Sequence, residues 1–167
     1  TRPDVVCLQE IKSVTEGFPI ERIAEAGYQA AVHGQKGFNG VALLSRWPIE
    51  DVVIGLPGEP DPGQSRYIEA LVTGDAGIVR VGGLYLPNGN PIGTEKFSYK
   101  LAWMEAFERH VRERLKLEEP LVVAGDYNVT PADEDVWDPV AAHGGTHVSE
   151  PERMALAAMQ NESVFAV

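Results

Sequence analysis

Apolar and polar residues alternate along this chain in two rhythms. Short apolar runs closed by polar or turn residues recur as PDVVCLQE, YQAAVH, GVALLSR, EDVVIG, RYIEALVT, IVRVGGLYL and PLVVAGD. Their length and their Val, Ile and Leu content predict β-strands, and the most continuous of them predict strands buried on both faces. A second rhythm appears in TEKFSYKLAWMEAFERHVRERLKLEE, where Phe97, Leu101, Met104, Val111 and Leu115 recur at spacings of three, four or seven. That spacing predicts one long helix with an apolar stripe facing the core and its Lys and Arg on a solvated face. Thr94 is placed to cap its start. PIERIAEAGY predicts a short helix between Pro19 and Gly27, and PERMALAAMQ another near the end.

Between these elements lie LPGEPDPGQS, the turn GDAG, and a stretch from Pro131 to Pro151 rich in Asp, Gly and Pro, all expected to be loops. The β segments follow one another closely, which predicts antiparallel neighbours rather than regular βαβ crossovers. There is no internal repeat, heptad or low-complexity tract. A chain of 167 residues fits one domain and can bury a sizeable core. It opens almost inside a strand, without Met or a basic-then-apolar leader, so the expectation is one domain, residues 1–167, incomplete at both ends.

Composition changes this picture little. No apolar stretch approaches the roughly 18 residues that span a bilayer, so no membrane association is expected. The single cysteine, Cys7, cannot form an internal disulfide and is expected to act as a small buried hydrophobe in a reducing, cytoplasmic setting. A net charge of −11 argues against broad nonspecific binding to nucleic acid. It does not exclude an enzyme acting on DNA, because a carboxylate-lined metal site carries negative charge that the ion offsets.

Candidate chemistry sits at the ends of three apolar strands. Glu10 follows DVVCLQ, Tyr85 and Asn88 close VGGLYLPN, and Asp126 and Asn128 close LVVAGDYN. Asp126 and Asn128 have two readings, a polar cap leading into a turn or a pair of catalytic groups. Taken together the five suit metal-assisted phosphodiester hydrolysis. Mg²⁺ takes oxygen ligands, often one or two carboxylates with water and phosphate, and Glu10 fits such a ligand. An Asp beside an amide suits activation of an attacking water, and Tyr and Asn can donate to phosphate oxygens.

The stretches PDVVCLQEIK, HGQKGFNGVALLSR, RYIEA, LYLPNGNP, KFSYKLAWMEAF and GDYNVTPAD cover most of residues 3 to 133. In this order they resemble the exonuclease III family of DNA repair nucleases, within the endonuclease/exonuclease/phosphatase superfamily. The resemblance implies an α/β fold, a four-layer sandwich with two mixed β-sheets face to face and helices outside. It implies a monomer when complete. It also implies Mg²⁺- or Mn²⁺-dependent cleavage of double-stranded DNA at abasic sites and removal of nucleotides from 3′ ends. By the same resemblance Glu10 is a metal ligand. Asp126 activates the attacking water and Asn128 helps place it, both beside the metal, and Tyr85 contacts the scissile phosphate. Asn88, Lys12, Gly37, Phe38 and Arg66 fall at DNA-contacting positions. For Lys12 and Arg66 an ordinary solvated cation is the competing reading.

The family pattern also contains an asparagine before PDVV, an Arg-Ile-Asp stretch and a Ser-Asp-His motif, and this chain contains none of them. Among its histidines, His147 lies in THVSE, which does not match that motif, and the tail ESVFAV lacks the aspartate expected near Phe165. Two other readings therefore stand beside the repair nuclease. One is another phosphoesterase of the superfamily, acting on inositol phosphates or sphingomyelin. The other is a catalytically incomplete fragment that binds DNA or a partner.

Overall fold

The computed structural model describes residues 2–75 and 77–161, so the tail ESVFAV and its Phe165 lie outside the described residues. The chain sorts into two compact units. One gathers residues up to Leu56, Asp61–Tyr85 and Glu118–Asp126; the other takes Pro57–Pro60, Leu86–Leu117 and the chain from Tyr127 on.

The first unit holds two β-sheets. Strands β1 (Val5–Leu8), β2 (Gln29–His33) and β3 (Val41–Ser45) form an antiparallel sheet with β3 at its centre. Strands β4 (Ile49–Ile54), β5 (Tyr67–Gly74), β6 (Gly77–Tyr85) and β7 (Leu121–Asp126) form a second sheet in the order β4-β5-β6-β7. All residues of β3 are buried, as its continuous apolar run predicts. Ala31, Val41 and Leu43 pack against Ile68, Ala70, Val72 and Val81 of the second sheet. Gly83 marks a close approach, because a Cβ there would lie 3.1 Å from Leu43 Cδ2. Helix α1 (Ile20–Glu25) starts after Pro19, ends before Gly27 and packs on β2.

A loop over residues 55–66 joins β4 to β5 and a short connection joins β5 to β6, and both pairs are antiparallel. The β6–β7 pair makes the second sheet mixed, as the resemblance implies. It is parallel, with Tyr85 opposite Asp126, because a long connection separates the two strands in sequence. Gly125 makes this pairing possible. Its φ is +150°, and a Cβ would lie 2.0 Å from the Leu84 carbonyl oxygen. Gly125→Ala is therefore expected to destabilise the protein by about 2 kcal/mol or more. Urea unfolding checks this, and an unchanged midpoint would contradict the close packing of β7 on β6.

The second unit is helical. Helix α2 (Glu95–Leu115) and helix α4 (Glu150–Asn161) pack on each other. Thr94 occupies the N-cap position of α2, but its hydroxyl donates to the Pro91 carbonyl at 2.7 Å instead of capping the helix. The buried face of α2 is Phe97, Lys100, Trp103, Met104, Ala106, Phe107, His110 and Val111, with Leu101 and Leu115 only half-buried. Lys100 thus corrects the expectation that every lysine of this helix is solvated. The segment expected to be wholly loop contains a 3₁₀ turn at Asp133–Asp135 and helix α3 (Pro139–Ala142). Asp138 caps α3 by accepting from the Ala141 N–H at 2.9 Å, and Pro139 follows at the first helical position. Among the described residues no helix is long and apolar enough to cross a membrane.

Candidate active site

In the first unit the site is built where β1, β6 and β7 end. Just beyond β1 the chain turns sharply, with φ of 50° at Glu10 and 51° at Lys12. Left-handed backbone is uncommon for such residues and persists where surrounding contacts enforce it. Those contacts are the Ile11 N–H to the Gly40 carbonyl at 3.2 Å and the Lys12 N–H to the Asn39 carbonyl at 3.1 Å. The loop of Gly37 and Phe38 is thereby held beside Glu10 and Lys12. Asn39 Nδ2 and Ser65 N both donate to Gln35 Oε1, which ties the segment before Arg66 to the same loop.

Tyr85 ends β6 and donates its hydroxyl to Glu10 Oε1 at 2.9 Å. Lys12 Nζ lies 3.0 Å from the other oxygen, Oε2. The hydrogen bonds from Lys12 and Tyr85, with the charge of Lys12, hold the Glu10 carboxyl below its usual range. Burial and the bond to Glu10 push the Tyr85 phenol up, and the charge of Asp126 adds to this. Tyr85 is thus a neutral O–H donor at physiological pH and Glu10 an ionised acceptor. The Arg66 guanidinium lies over the Tyr85 ring, 5.1 Å from its centroid, and Nη1 donates to the Tyr85 carbonyl at 3.2 Å. Asp126 ends β7 directly opposite Tyr85 in the ladder. Glu10, Lys12, Arg66, Tyr85 and Asp126 are therefore brought together in this unit. Phe38 stands on the adjoining loop with its side chain 77% exposed.

The second unit holds Asn88 and Asn128. Asn128, with φ of 48°, donates its side-chain amide to the Leu86 carbonyl at 2.8 Å. Its own carbonyl accepts from Lys100 Nζ at 2.6 Å and from His147 Nδ1. Asn88 Oδ1 accepts from the Asn90 N–H at 3.2 Å, and Asn88 Nδ2 meets His147 Nε2 at 3.3 Å. Behind them Lys100 and Glu152, both fully buried, form an ion pair. Lys100 also donates to the Asn88 carbonyl at 3.2 Å, and Glu152 accepts from the His147 and Ser149 N–H groups and the Ser149 hydroxyl. Gly89 lets the loop press onto this lysine, since a Cβ there would lie 2.6 Å from Lys100 Cδ.

Glu10 is a half-exposed, ionised carboxylate, the kind of single protein ligand that Mg²⁺ accepts alongside water and phosphate. Among the described residues no three His, Cys, Asp or Glu side chains gather into a cage. The donor set thus fits a hard cation held by one or two carboxylates and completed by substrate.

The sequence pattern described as the Endonuclease/Exonuclease/phosphatase family matches residues 1–155. The chain belongs to this family. Exodeoxyribonuclease III of Haemophilus influenzae is 34% identical over 136 residues, which are 81% of this chain and 51% of that protein. A solved Neisseria structure, a 3′ phosphatase bound to a product DNA hairpin, superposes with a TM-score of 0.89 at 37% identity, covering 96% of this chain and 61% of that one. An AP endonuclease structure from Archaeoglobus fulgidus gives a TM-score of 0.88 at 33% identity, covering 95% and 60%. The chain therefore spans between half and three fifths of these relatives' lengths. The expected α/β fold with two sheets is shared with the solved members of the family.

Sequence reasoning missed three residues of this family member's second cluster: Lys100, His147 and Glu152. Lys100 sits three residues after Phe97 and four before Met104, on the apolar stripe itself, which was the available signal. Ser149 and Glu152 have the S-x-x-E spacing that opens a helix, and Glu152 does turn back to the Ser149 N–H.

Proposed function

We propose that this protein is a DNA repair nuclease that hydrolyses phosphodiester bonds of double-stranded DNA, releasing nucleotides from 3′ ends and cutting at abasic sites. The observation that carries the reading is the Tyr85–Glu10 hydrogen bond with Asp126 opposite Tyr85 on the neighbouring strand. It joins an ionised carboxylate, a neutral phenol and a second carboxylate in one unit, and the named activities of the relatives supply the substrate class.

In this reading Asp126 takes a proton from a water that attacks phosphorus, and the bond to the 3′-oxygen breaks. Asn128 helps place that water. Tyr85, kept protonated, offers its O–H to a phosphate oxygen as it leaves Glu10. Glu10 is the residue that would hold Mg²⁺ or Mn²⁺, with Asp126 and Asn128 as further oxygen donors. The bound ion supplies charge neutralisation at the phosphate. Lys12 and Arg66 face the phosphate backbone, the exposed Phe38 ring next to Gly37 is shaped to stack on or wedge beside a base, and Asn88 contacts the nucleotide. A cytoplasmic setting is inferred from the single cysteine, Cys7, which has no partner in the sequence for an internal disulfide.

The test offers the purified protein, with Mg²⁺ or Mn²⁺, a duplex with recessed 3′ ends, an abasic-site duplex and an inositol polyphosphate. Nucleotide release or strand incision with no phosphate freed from inositol supports the reading, and the reverse pattern rejects it. A second reading is binding without cleavage, favoured by the prior engagement of both Glu10 oxygens with Tyr85 and Lys12. Retarded DNA that stays intact would establish it. Glu10→Gln is expected to raise the Mg²⁺ concentration for half-maximal activity by on the order of tenfold. An unchanged metal titration would remove Glu10 from the metal site.

A further inference from the structure

His147 is half-exposed, yet every hydrogen-bonding group it has is engaged within the protein. Its N–H donates to Glu152 Oε1 at 3.0 Å and its carbonyl accepts from the Thr130 N–H at 2.8 Å. Ring Nδ1 faces the Asn128 carbonyl, which can only accept, so the proton sits on Nδ1. Nε2 faces the Asn88 amide nitrogen Nδ2 at 3.3 Å, a donor with no lone pair to offer, and so accepts from it. The backbone at His147 has a φ of +77°, strained for a histidine and held there by the Glu152 and Thr130 contacts.

We propose that His147 is a positioning residue: its ring spans the Asn128 carbonyl and the Asn88 amide, and so fixes which face of the Asn88 amide is turned outward. The alternative rotamer, with the Asn88 amide flipped, would set Oδ1 against the Nε2 lone pair. It would also surrender the bond that Asn88 Oδ1 accepts from the Asn90 N–H. Both losses disfavour the flip, so the amide is pre-set before any ligand arrives. The inference rests on the reading above in one respect, that Asn88 contacts nucleotide. His147 does not touch the substrate in this scheme and exchanges no proton. It acts through Asn88.

The test compares the wild-type protein with His147→Asn, His147→Gln, Asn88→Ala and the double variant His147→Asn/Asn88→Ala. Asparagine tolerates the positive φ and keeps a donor toward the Asn128 carbonyl but does not reach Asn88. Glutamine reaches Asn88 with its Oε1. One readout needs no activity, the ¹H–¹⁵N resonances of the Asn88 side-chain amide. They are expected to collapse toward free-amide values in His147→Asn and to stay dispersed in His147→Gln. The other is nucleotide release from 3′-ended duplex. His147→Asn is expected to raise KM about fivefold with kcat within twofold, and to add nothing in the Asn88→Ala background. Asn88 resonances unmoved by His147→Asn would overturn the proposal, as would an equal KM loss in the Asn88→Ala background. A protein that releases no nucleotide would reject the functional reading, while the amide resonances still uphold or overturn the positioning by themselves.

Discussion

Replacing Asp126 by asparagine is expected to lower the rate of nucleotide release by on the order of 10²–10⁴, with DNA affinity largely retained. The substitution keeps the shape of the side chain and removes its capacity to accept a proton. Asp126 ends β7 opposite Tyr85, and Gly125 lets the strand approach closely enough to put it there. An amide in its place also withdraws a negative charge that adds to the raised Tyr85 pKa, so that pKa should fall slightly while burial and the bond to Glu10 keep it raised. Single-turnover rates at saturating Mg²⁺ and fluorescence titration of the tyrosine measure the two independently. Near-normal turnover in Asp126→Asn would end the assignment of Asp126 as the base, whatever the tyrosine does.

The strand content of the fold was legible because each strand is a short apolar run bounded by turn residues, and β3 shows why. Val41–Ser45 reads as unbroken apolar sequence and is buried throughout. Glu10, Tyr85 and Asp126 were legible for a related reason, since polar groups directly after such runs stand at sheet ends. The parallel β6–β7 pairing was not legible, because nothing local distinguishes a strand that returns parallel after a long connection from one that turns back. Helix α3 could have been found from Asp138-Pro139, a cap residue followed by a residue suited to the first turn. Lys100 was hidden by its type. A lysine on an apolar stripe is read as a long stem reaching solvent, and only the tertiary structure reveals a carboxylate 52 residues further along the chain. His147 was set aside because its sequence context matches no motif, although its importance in the fold comes from what both ring nitrogens touch.

The Lys100–Glu152 pair yields the largest expected effect on stability. Lys100→Met is expected to destabilise the protein by about 3–5 kcal/mol, because it leaves a buried carboxylate without its cation. The midpoint of thermal unfolding should fall by on the order of 10 °C. Adding Glu152→Gln to Lys100→Met should recover part of the loss, since the double variant buries no net charge. It should not recover all of it, because the carbonyls of Asn88 and Asn128 still lack the lysine that binds them. The pair also predicts a pH dependence. Burial alone would raise the Glu152 pKa, but the bonds from Lys100, Ser149 and the His147 N–H outweigh it and set the pKa below the ordinary 4.5. A carboxyl whose folded pKa is depressed contributes stability above its unfolded pKa and loses it as pH falls through the folded value. Stability should therefore drop below about pH 4.5 in the wild-type protein, with a shallower drop in the double variant, which has no carboxyl at position 152. Urea midpoints from neutral pH down to pH 3 measure both. Equal acid sensitivity in the two proteins, or a Lys100→Met variant as stable as wild type, would show that the pair does not anchor the Asn88 and Asn128 backbones.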